Sequence, residues 1–216
     1  MIVACAFMDY SVHNRYTRLQ MARPKEFERE PALQRAIAVF SQHGYEGTST
    51  EALLRAMGIN RQSMYDTYGD KRQLYLEALQ RYVASSVSDQ LRALNAPPAA
   101  IRGLAAHLDD VVDRALVEAR PSCLGLGAIC EFGRSDPHVT KLTDAAARNL
   151  IAALERRIAE AKSAGDVSKE VDVTEAAQFI AATITGIKMA ARAGASARTL
   201  RGIARMALRS LSGARS

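Results

Sequence analysis

The sequence predicts an all-α protein with nine helices. Apolar residues recur at spacings of three and four along most of the chain, which is the period of a helix with one buried face. No segment shows the strict alternation of apolar and polar residues that a half-buried strand requires. The chain is also rich in Ala, Leu and Arg, which are good helix formers. Because aromatic residues make up only 6% of the chain and Trp is absent, aliphatic side chains must fill the core.

Composition excludes several classes of protein. The chain is 48% hydrophobic and 24% charged, which is typical of a soluble globular protein and too apolar for a disordered one. No apolar run approaches the ~18 residues that a membrane span needs, so we expect no membrane contact. The three cysteines cannot all pair within one chain and lack zinc-ligand spacing. We therefore expect a reduced, cytoplasmic protein without a metal site or a cofactor, and the net charge of +6 favours an anionic partner.

Residues 1–20 differ from the rest of the chain because they show neither a sustained period nor a helix cap. The stretch MARPKEF that begins at Met21 is typical of a protein N-terminus. We expect residues 1–20 either to be a disordered leader or to result from a start codon placed upstream of the true one.

Caps and glycines set the boundaries of the first two helices. The first runs from Glu30 to His43 and stops at Gly44, a residue type that often ends helices. Thr48 and Glu51 lie three residues apart, which is the spacing of a capping box, and they predict the start of the second helix.

Two short helices then meet across a tight turn. The second helix ends at Gly58, and the third spans Arg61 to Tyr68. A tight turn with a Gly between two short helices is helix-turn-helix geometry, whose second helix lies in the major groove of DNA. We assign the motif to residues 49–68 and the DNA-binding domain to residues 26–86. Asp70 then caps a long fourth helix.

The remaining helices follow a linker, Asn95 to Pro98, that contains two prolines. We expect five helices after it, at about residues 101–116, 123–132, 137–164, 173–192 and 197–211. Residues 97–216 would form a ligand-binding and dimerisation domain.

Nine residues of the N-terminal domain carry chemistry suited to DNA: Thr48, Ser49, Thr50, Arg61, Gln62, Ser63, Tyr65, Tyr68 and Lys71. Hydroxyls and free N–H groups at a helix N-terminus suit a phosphate. Arg can grip guanine O6 and N7, and Gln can do the same for adenine N6 and N7. The tyrosines and Lys71 offer contacts to phosphates, although the tyrosines also fit a core and the polar side chains also fit a solvated surface.

The segment GINRQSMYDTYGDKRQL, from Gly58 to Leu74, resembles the recognition-helix signature of the TetR family of bacterial transcriptional regulators. Ala38, Phe40 and residues 44–50 are similar to the first helix and turn of that family. The resemblance covers roughly residues 26–86. It implies an all-helical homodimer that is not an enzyme. It also implies a four-helix interface built from the last two helices of each subunit, and release of operator DNA when a small molecule binds between the middle helices.

The C-terminal half resembles one subgroup of that family. Residues 121–127, followed by Asp136 and Pro137, are similar to a Gly-Cys-Leu segment found in sensors of electrophiles, acrylate-like compounds and copper. Cys123 follows a Pro break, where a helix N-terminus would stabilise a thiolate, although a free Cys also serves as a small buried hydrophobe. The candidate ligand or sensor residues are Cys123, Cys130, His107, Asp110, His138 and Met189.

The leading interpretation is a repressor that a small molecule releases from DNA. The alternatives are a thiol-based redox, electrophile or metal sensor on the same fold, and an all-α enzyme. The enzyme is disfavoured because no nucleophile–base pair, metal-ligand cluster or phosphate-binding loop appears.

The homodimer would form through residues 173–192 and 197–211, with the arginines of the C-terminal tail solvated rather than forming a nucleic-acid arm. The apolar residues that we expect an isolated subunit to leave incompletely buried are Ile180, Ile184, Ile187, Leu200, Ile203 and Leu208.

Overall fold

The structure, a computed structural model, describes residues 27–117 and 123–212, and the expected leader at residues 1–20 lies outside these ranges. The described residues form nine α-helices and no strand, which confirms the predicted all-α class. The helices are α1 (Arg29–His43), α2 (Thr50–Met57), α3 (Arg61–Tyr68), α4 (Lys71–Asn95), α5 (Ala100–Val117), α6 (Leu124–Phe132), α7 (Pro137–Ser163), α8 (Val173–Arg192) and α9 (Ala197–Leu211).

The start of α2 differs from the prediction. Ser49 is the N-cap, because its Oγ accepts the N–H of Ala52 at 3.1 Å. Thr48 is only 1% exposed, and its hydroxyl donates to the Gly44 carbonyl at 2.6 Å. The predicted capping box between Thr48 and Glu51 is therefore wrong. The Thr48 hydroxyl is used inside the fold, where it satisfies a carbonyl just after α1.

The turn between α2 and α3 is tight because Gly58 adopts a left-handed conformation, with φ 69° and ψ 34°. Its N–H donates to the Leu54 carbonyl and closes the last turn of α2. Asn60 then caps α3 by accepting the N–H of Ser63 at 2.8 Å. A residue with a Cβ rarely adopts this φ. Glycine at position 58 therefore allows the two short helices to follow each other closely.

Two apolar clusters fill the interior. The N-terminal cluster joins α1–α4 and includes Phe40 and Tyr75, whose rings meet edge to face at 5.0 Å. Leu124 and Ala128 of α6 and Val139 of α7 belong to the same cluster. The N-terminal helices thus pack directly against the segment that follows α5.

The second cluster lies among the C-terminal helices α5, α7, α8 and α9, with Leu94 from the end of α4. The 25-residue helix α4 contributes to both clusters and so connects them. Among the described helices, none combines the length and the apolarity that crossing a bilayer would need.

Candidate DNA-binding surface, ligand cavity and dimer face

The first turn of α3 presents two exposed polar side chains. Met64 is fully buried and anchors the helix, while Arg61 and Gln62 are exposed. The Arg61 guanidinium lies 2.6 Å from the Glu51 carboxylate, and the Gln62 amide donates to Asp66 at 2.7 Å. Exposed pairs of this kind contribute little to stability, so a stronger acceptor can displace them. The helix therefore holds a guanidinium and an amide at its surface, ready to exchange partners.

The N-terminus of α2 lies beside this surface. Ser49 is exposed and Thr50, the first residue of the helix, is half-buried. The backbone N–H groups of the first turn carry a partial positive charge that suits a phosphate. Ser63, near the start of α3, is also half-buried.

The two tyrosines of α3 have different environments. Tyr65 is 45% exposed, so its hydroxyl is accessible to a ligand. Tyr68 is 5% exposed, and its hydroxyl donates to the Arg29 carbonyl at 2.9 Å. Burial raises the pKa of Tyr68. The expected phosphate contact of Tyr68 is wrong, because this side chain is buried and holds α3 against α1. The expected phosphate contact of Thr48 is also wrong, because its side chain is buried.

Lys71 begins α4 and is half-buried. Its ammonium lies 4.4 Å from the centre of the Tyr45 ring, a distance at which the ring face attracts a cation. Tyr45 thus positions the Lys71 charge between the α1–α2 loop and α4.

Two polar contacts tie the N-terminal helices to the C-terminal ones. Near the end of α6, the two carboxylate oxygens of Glu131 accept the backbone N–H groups of Tyr45 and Glu46 at 2.8 Å and 2.7 Å. Arg72, in the first turn of α4, pairs with Asp136 at 2.6 Å. These contacts are not predictable from the sequence, because the partners lie more than 60 residues apart and share no local pattern.

A cavity of about 180 Å³ lies between α4, α6, α7 and α8. Its wall is mostly apolar, with Val83, Leu126 and Ile184 among the lining residues. Cys123, the N-cap residue of α6, also lines it. Of the six predicted ligand or sensor residues, Cys123 alone lies on this cavity.

The other five candidates lie elsewhere. Cys130 is exposed, on the side of α6 that faces the end of α1. His138 is exposed at the start of α7, and Met189 is 44% exposed on α8. Asp110 pairs with Arg114 at 2.8 Å beside a smaller, polar cavity of about 120 Å³. His107 lies in the core.

His107 is fully buried, and neither ring nitrogen has a hydrogen-bond partner. Burial lowers the pKa of His107 to about 4, with Lys188 and Arg114 acting in the same direction and Asp110 against it. The imidazole is therefore neutral near pH 7. In the described ranges, no group of His, Cys, Asp and Glu side chains is arranged to hold a metal ion.

The larger cavity also has polar lining residues that the sequence did not predict, including Gln90, Thr143, Thr185 and Lys188. Each lies on a helix whose pattern predicts burial or exposure, but not which void the side chain borders. Only the packing of four helices brings them together.

The exposed apolar surface of α8 and α9 differs in detail from the prediction. Ile180, Ile184, Ile187 and Leu200 are at most 3% exposed within the single chain, so the expectation that they are left open is wrong. They pack against α5 and α7 in the C-terminal cluster. The large apolar side chains of α8 and α9 that remain exposed are Phe179 at 48%, Met189 at 44% and Met206 at 63%. Phe179 and Met206 border a groove together with the half-buried Ile203.

Two family models match the chain. The model described as bacterial regulatory proteins of the tetR family matches residues 32–78. The model of the tetracyclin repressor-like C-terminal domain matches residues 98–207. The first match covers the helix-turn-helix. The second covers α5–α8 and most of α9, which include three of the four helices around the cavity.

Relatives and solved structures agree with these matches. YezE of Bacillus subtilis (strain 168), an uncharacterised HTH-type transcriptional regulator, is 32% identical over 162 residues, which is 74% of this chain and 84% of YezE. The HTH-type transcriptional repressor ComR of Escherichia coli (strain K12) is 26% identical over 87% of this chain and 90% of ComR. A cysteine mutant of the TetR family regulator CifR, solved with a 26-bp double-strand operator DNA, is 31% identical, with a TM-score of 0.76 over 88% of this chain and 99% of that one.

Proposed function

The chain belongs to the TetR family of bacterial regulatory proteins, and from this premise we propose that it is a transcriptional repressor that a small molecule releases from operator DNA. The observation that carries the proposal is the exposed pair Arg61 and Gln62 on α3, held at the surface of a helix-turn-helix by the buried Met64. CifR binds operator DNA with a similar fold, and ComR is a repressor. The relatives are regulators, and we propose no catalytic activity for this chain.

DNA recognition would depend on the first turn of α3. In the major groove, Arg61 would bond guanine and Gln62 would bond adenine, after leaving Glu51 and Asp66. Ser63 would also face the base edges, and the exposed Tyr65 would offer its hydroxyl to a phosphate. The phosphate contacts would come from Ser49, Thr50 and Lys71, placed by the α2 N-terminus and by the start of α4.

Two subunits would read the two halves of the operator. The exposed apolar groove of α8 and α9, with Phe179 and Met206, supports an isologous interface that buries these side chains. A two-fold dimer places its recognition helices in successive turns of the major groove. This arrangement also supports the division into a DNA-binding domain at residues 26–86 and a ligand-binding and dimerisation domain at 97–216, acting in the cytoplasm, where the DNA lies.

Ligand release of DNA would pass through α6. This helix lines the larger cavity with Leu126 and Ile129, and its far end holds the α1–α2 loop through Glu131. Packed helices respond to an inserted ligand by moving between discrete arrangements. A ligand that displaces α6 would shift the loop, and with it the spacing of the recognition helices.

A second candidate function is electrophile sensing by the Cys123 thiol. The observation that favours it is that Cys123 lines the larger cavity at the N-cap of α6, so a covalent adduct would add bulk against the helix that contacts the DNA-binding segment. Cys130, by contrast, faces away from that cavity.

The test is fluorescence anisotropy with labelled DNA from upstream of the gene that encodes this chain. We expect binding that exceeds binding to a scrambled fragment, and its loss in Arg61→Ala. Equal affinity for the upstream and the scrambled fragment would contradict the proposed repressor function. For the thiol function, N-ethylmaleimide should release DNA from the wild type and from Cys130→Ser but not from Cys123→Ser. Release from Cys123→Ser as well would show that Cys123 is not the sensing thiol.

A further inference from the structure

The larger cavity is apolar along most of its wall and polar at one end. Val83, Leu126 and Ile151 represent its apolar part, which suits a hydrocarbon chain. Gln90 and Lys188 line this cavity and also the smaller polar cavity, which involves Asp110 and Arg114. The two side chains therefore mark the point where the apolar space meets the polar one.

Lys188 carries the one charge among the described residues that line the larger cavity. It is half-buried on α8. The two carboxylates that border the smaller cavity are engaged elsewhere, because Asp89 and Asp110 both pair with Arg114, at 3.0 Å and 2.8 Å. Within the described ranges, no carboxylate lies within ion-pair distance of the Lys188 ammonium.

The half-buried Lys188 ammonium has no carboxylate partner among the described residues, so an anion that enters the cavity can form a charge-assisted hydrogen bond with it. His107 adds no competing cation, since burial lowers its pKa to about 4 and leaves it neutral near pH 7. The nearby charges are then Asp89, Asp110, Arg114 and Lys188, of which Lys188 borders the apolar space.

Gln90 supplies a second polar requirement. Its side chain is 9% exposed, and its Nε2 donates to the backbone and side-chain oxygens of Ser86. These two bonds fix the amide orientation and leave Oε1 buried without a partner. A buried acceptor of this kind is satisfied by a hydroxyl or an N–H of a ligand.

We propose that the effector is a hydroxy-carboxylate on an apolar chain: its carboxylate pairs with Lys188, its hydroxyl donates to Gln90 Oε1, and its chain fills the space between α4, α6, α7 and α8. The proposal names the chemical class of the small molecule and so rests on the proposed function. It accounts for an apolar cavity that has a lone cation and a lone acceptor at the same end.

The test is direct binding by isothermal titration calorimetry in the absence of DNA, with 3-hydroxydecanoate, decanoate and 1-decanol below their aggregation limits. We expect 3-hydroxydecanoate to bind about tenfold or more tightly than 1-decanol, because charge-assisted hydrogen bonds are among the strong ones. Lys188→Met should remove this preference, whereas Lys188→Arg and the exposed-surface control Lys169→Met should keep it. Gln90→Leu should remove the advantage of 3-hydroxydecanoate over decanoate.

Comparable binding of 1-decanol and 3-hydroxydecanoate by the wild type would overturn the proposal, as would a carboxylate preference that persists in Lys188→Met. A hydroxyl advantage that survives in Gln90→Leu would also contradict it. Circular dichroism of each variant checks that the helices are retained, and Lys188→Arg tests the charge even if Lys188→Met unfolds. Operator binding is measured separately by anisotropy. Binding of 3-hydroxydecanoate without operator binding would contradict the proposed repressor function. Operator binding without a preference for the carboxylate would contradict only the proposed class of effector.

Discussion

The Arg72 guanidinium lies 2.6 Å from the carboxylate of Asp136, and this ion pair joins the first turn of α4 to the N-cap of α7. The same carboxylate caps α7 by accepting the N–H groups of His138 and Val139 at 2.9 Å and 3.1 Å. One buried side chain thus stabilises a helix end and ties the DNA-binding segment to the helix that lines the ligand cavity.

Asp136→Asn should destabilise the protein by about 1–2 kcal/mol at pH 7, after allowance for the partial exposure of Arg72. The hydrogen bond from Arg72 lowers the pKa of Asp136 from 3.8 to about 2. Because the carboxylate ionises more readily in the folded state, its contribution is present above about pH 4 and is lost as the pH falls towards 2. Urea unfolding of both proteins at pH 7 and pH 3 measures the difference. The exposed Asp166→Asn is the matched control and should change neither value.

Glu131→Gln should loosen the loop between α1 and α2. The carboxylate accepts two N–H groups, from Tyr45 and Glu46, whereas an amide has one acceptor oxygen. Because Glu131 is exposed, we expect a loss of about 1 kcal/mol, seen as roughly fivefold faster hydrogen exchange of those two amides. Unchanged exchange, with Glu155→Gln as the control, would mean that the loop holds its shape without this contact.

Arg61→Ala should cost about 1–3 kcal/mol of operator affinity and relax the preference at one base pair. Gln62→Ala should act in the same way at another position. Lys71→Ala should weaken binding to all sequences alike and reduce the salt slope by about one unit. Anisotropy titrations at several salt concentrations separate the two kinds of loss. An unaltered operator affinity in Arg61→Ala would show that Arg61 does not read a base.

Met206→Asp should convert the dimer to monomers. Met206 is 63% exposed beside the groove between α8 and α9, and a charge there opposes burial against a second copy. Ile203→Asp, on the wall of the same groove, should have the same effect. Light scattering at several protein concentrations gives the mass. The exposed Ala159→Asp on α7 is the control, and a monomeric wild type would disprove the interface.

His107→Leu should flatten the dependence of stability on pH between about 4 and 6.5. Burial lowers the pKa of His107 from 6.5 to about 4, so in this range the unfolded chain binds a proton that the folded chain does not. The contribution of the neutral His107 to the free energy of unfolding is fully present above pH 6.5. It falls by up to about 3 kcal/mol as the pH drops towards 4. Urea unfolding across this range should show the fall in the wild type only. Equal slopes in both proteins would assign the pH dependence to other groups.

The local sequence determined the helices and most of their ends. Asp70, Asp136 and Gly58 stop or start helices through hydrogen bonds and dihedral angles within a few residues of themselves, so their effect is visible in the chain alone. The position of Arg61 and Gln62 directly after the Gly58 turn predicted the recognition helix, because this pattern also lies within a few residues of the chain.

The tertiary structure decided which side chains these helices bury. Thr48 and Tyr68 carry hydroxyls that could contact a phosphate, but both side chains are buried. The Thr48 hydroxyl donates to the Gly44 carbonyl, and the Tyr68 hydroxyl donates to the Arg29 carbonyl. On α8, Ile180 turns inward while Phe179 stays exposed, although both are apolar.

The cavity also depended on packing. Gln90 and Lys188 lie on two helices almost a hundred residues apart in the chain, and only the fold places them at one end of one space. Helix periodicity specifies an apolar face, whereas the partner of that face, and any void between the two, is set by the simultaneous packing of all the helices.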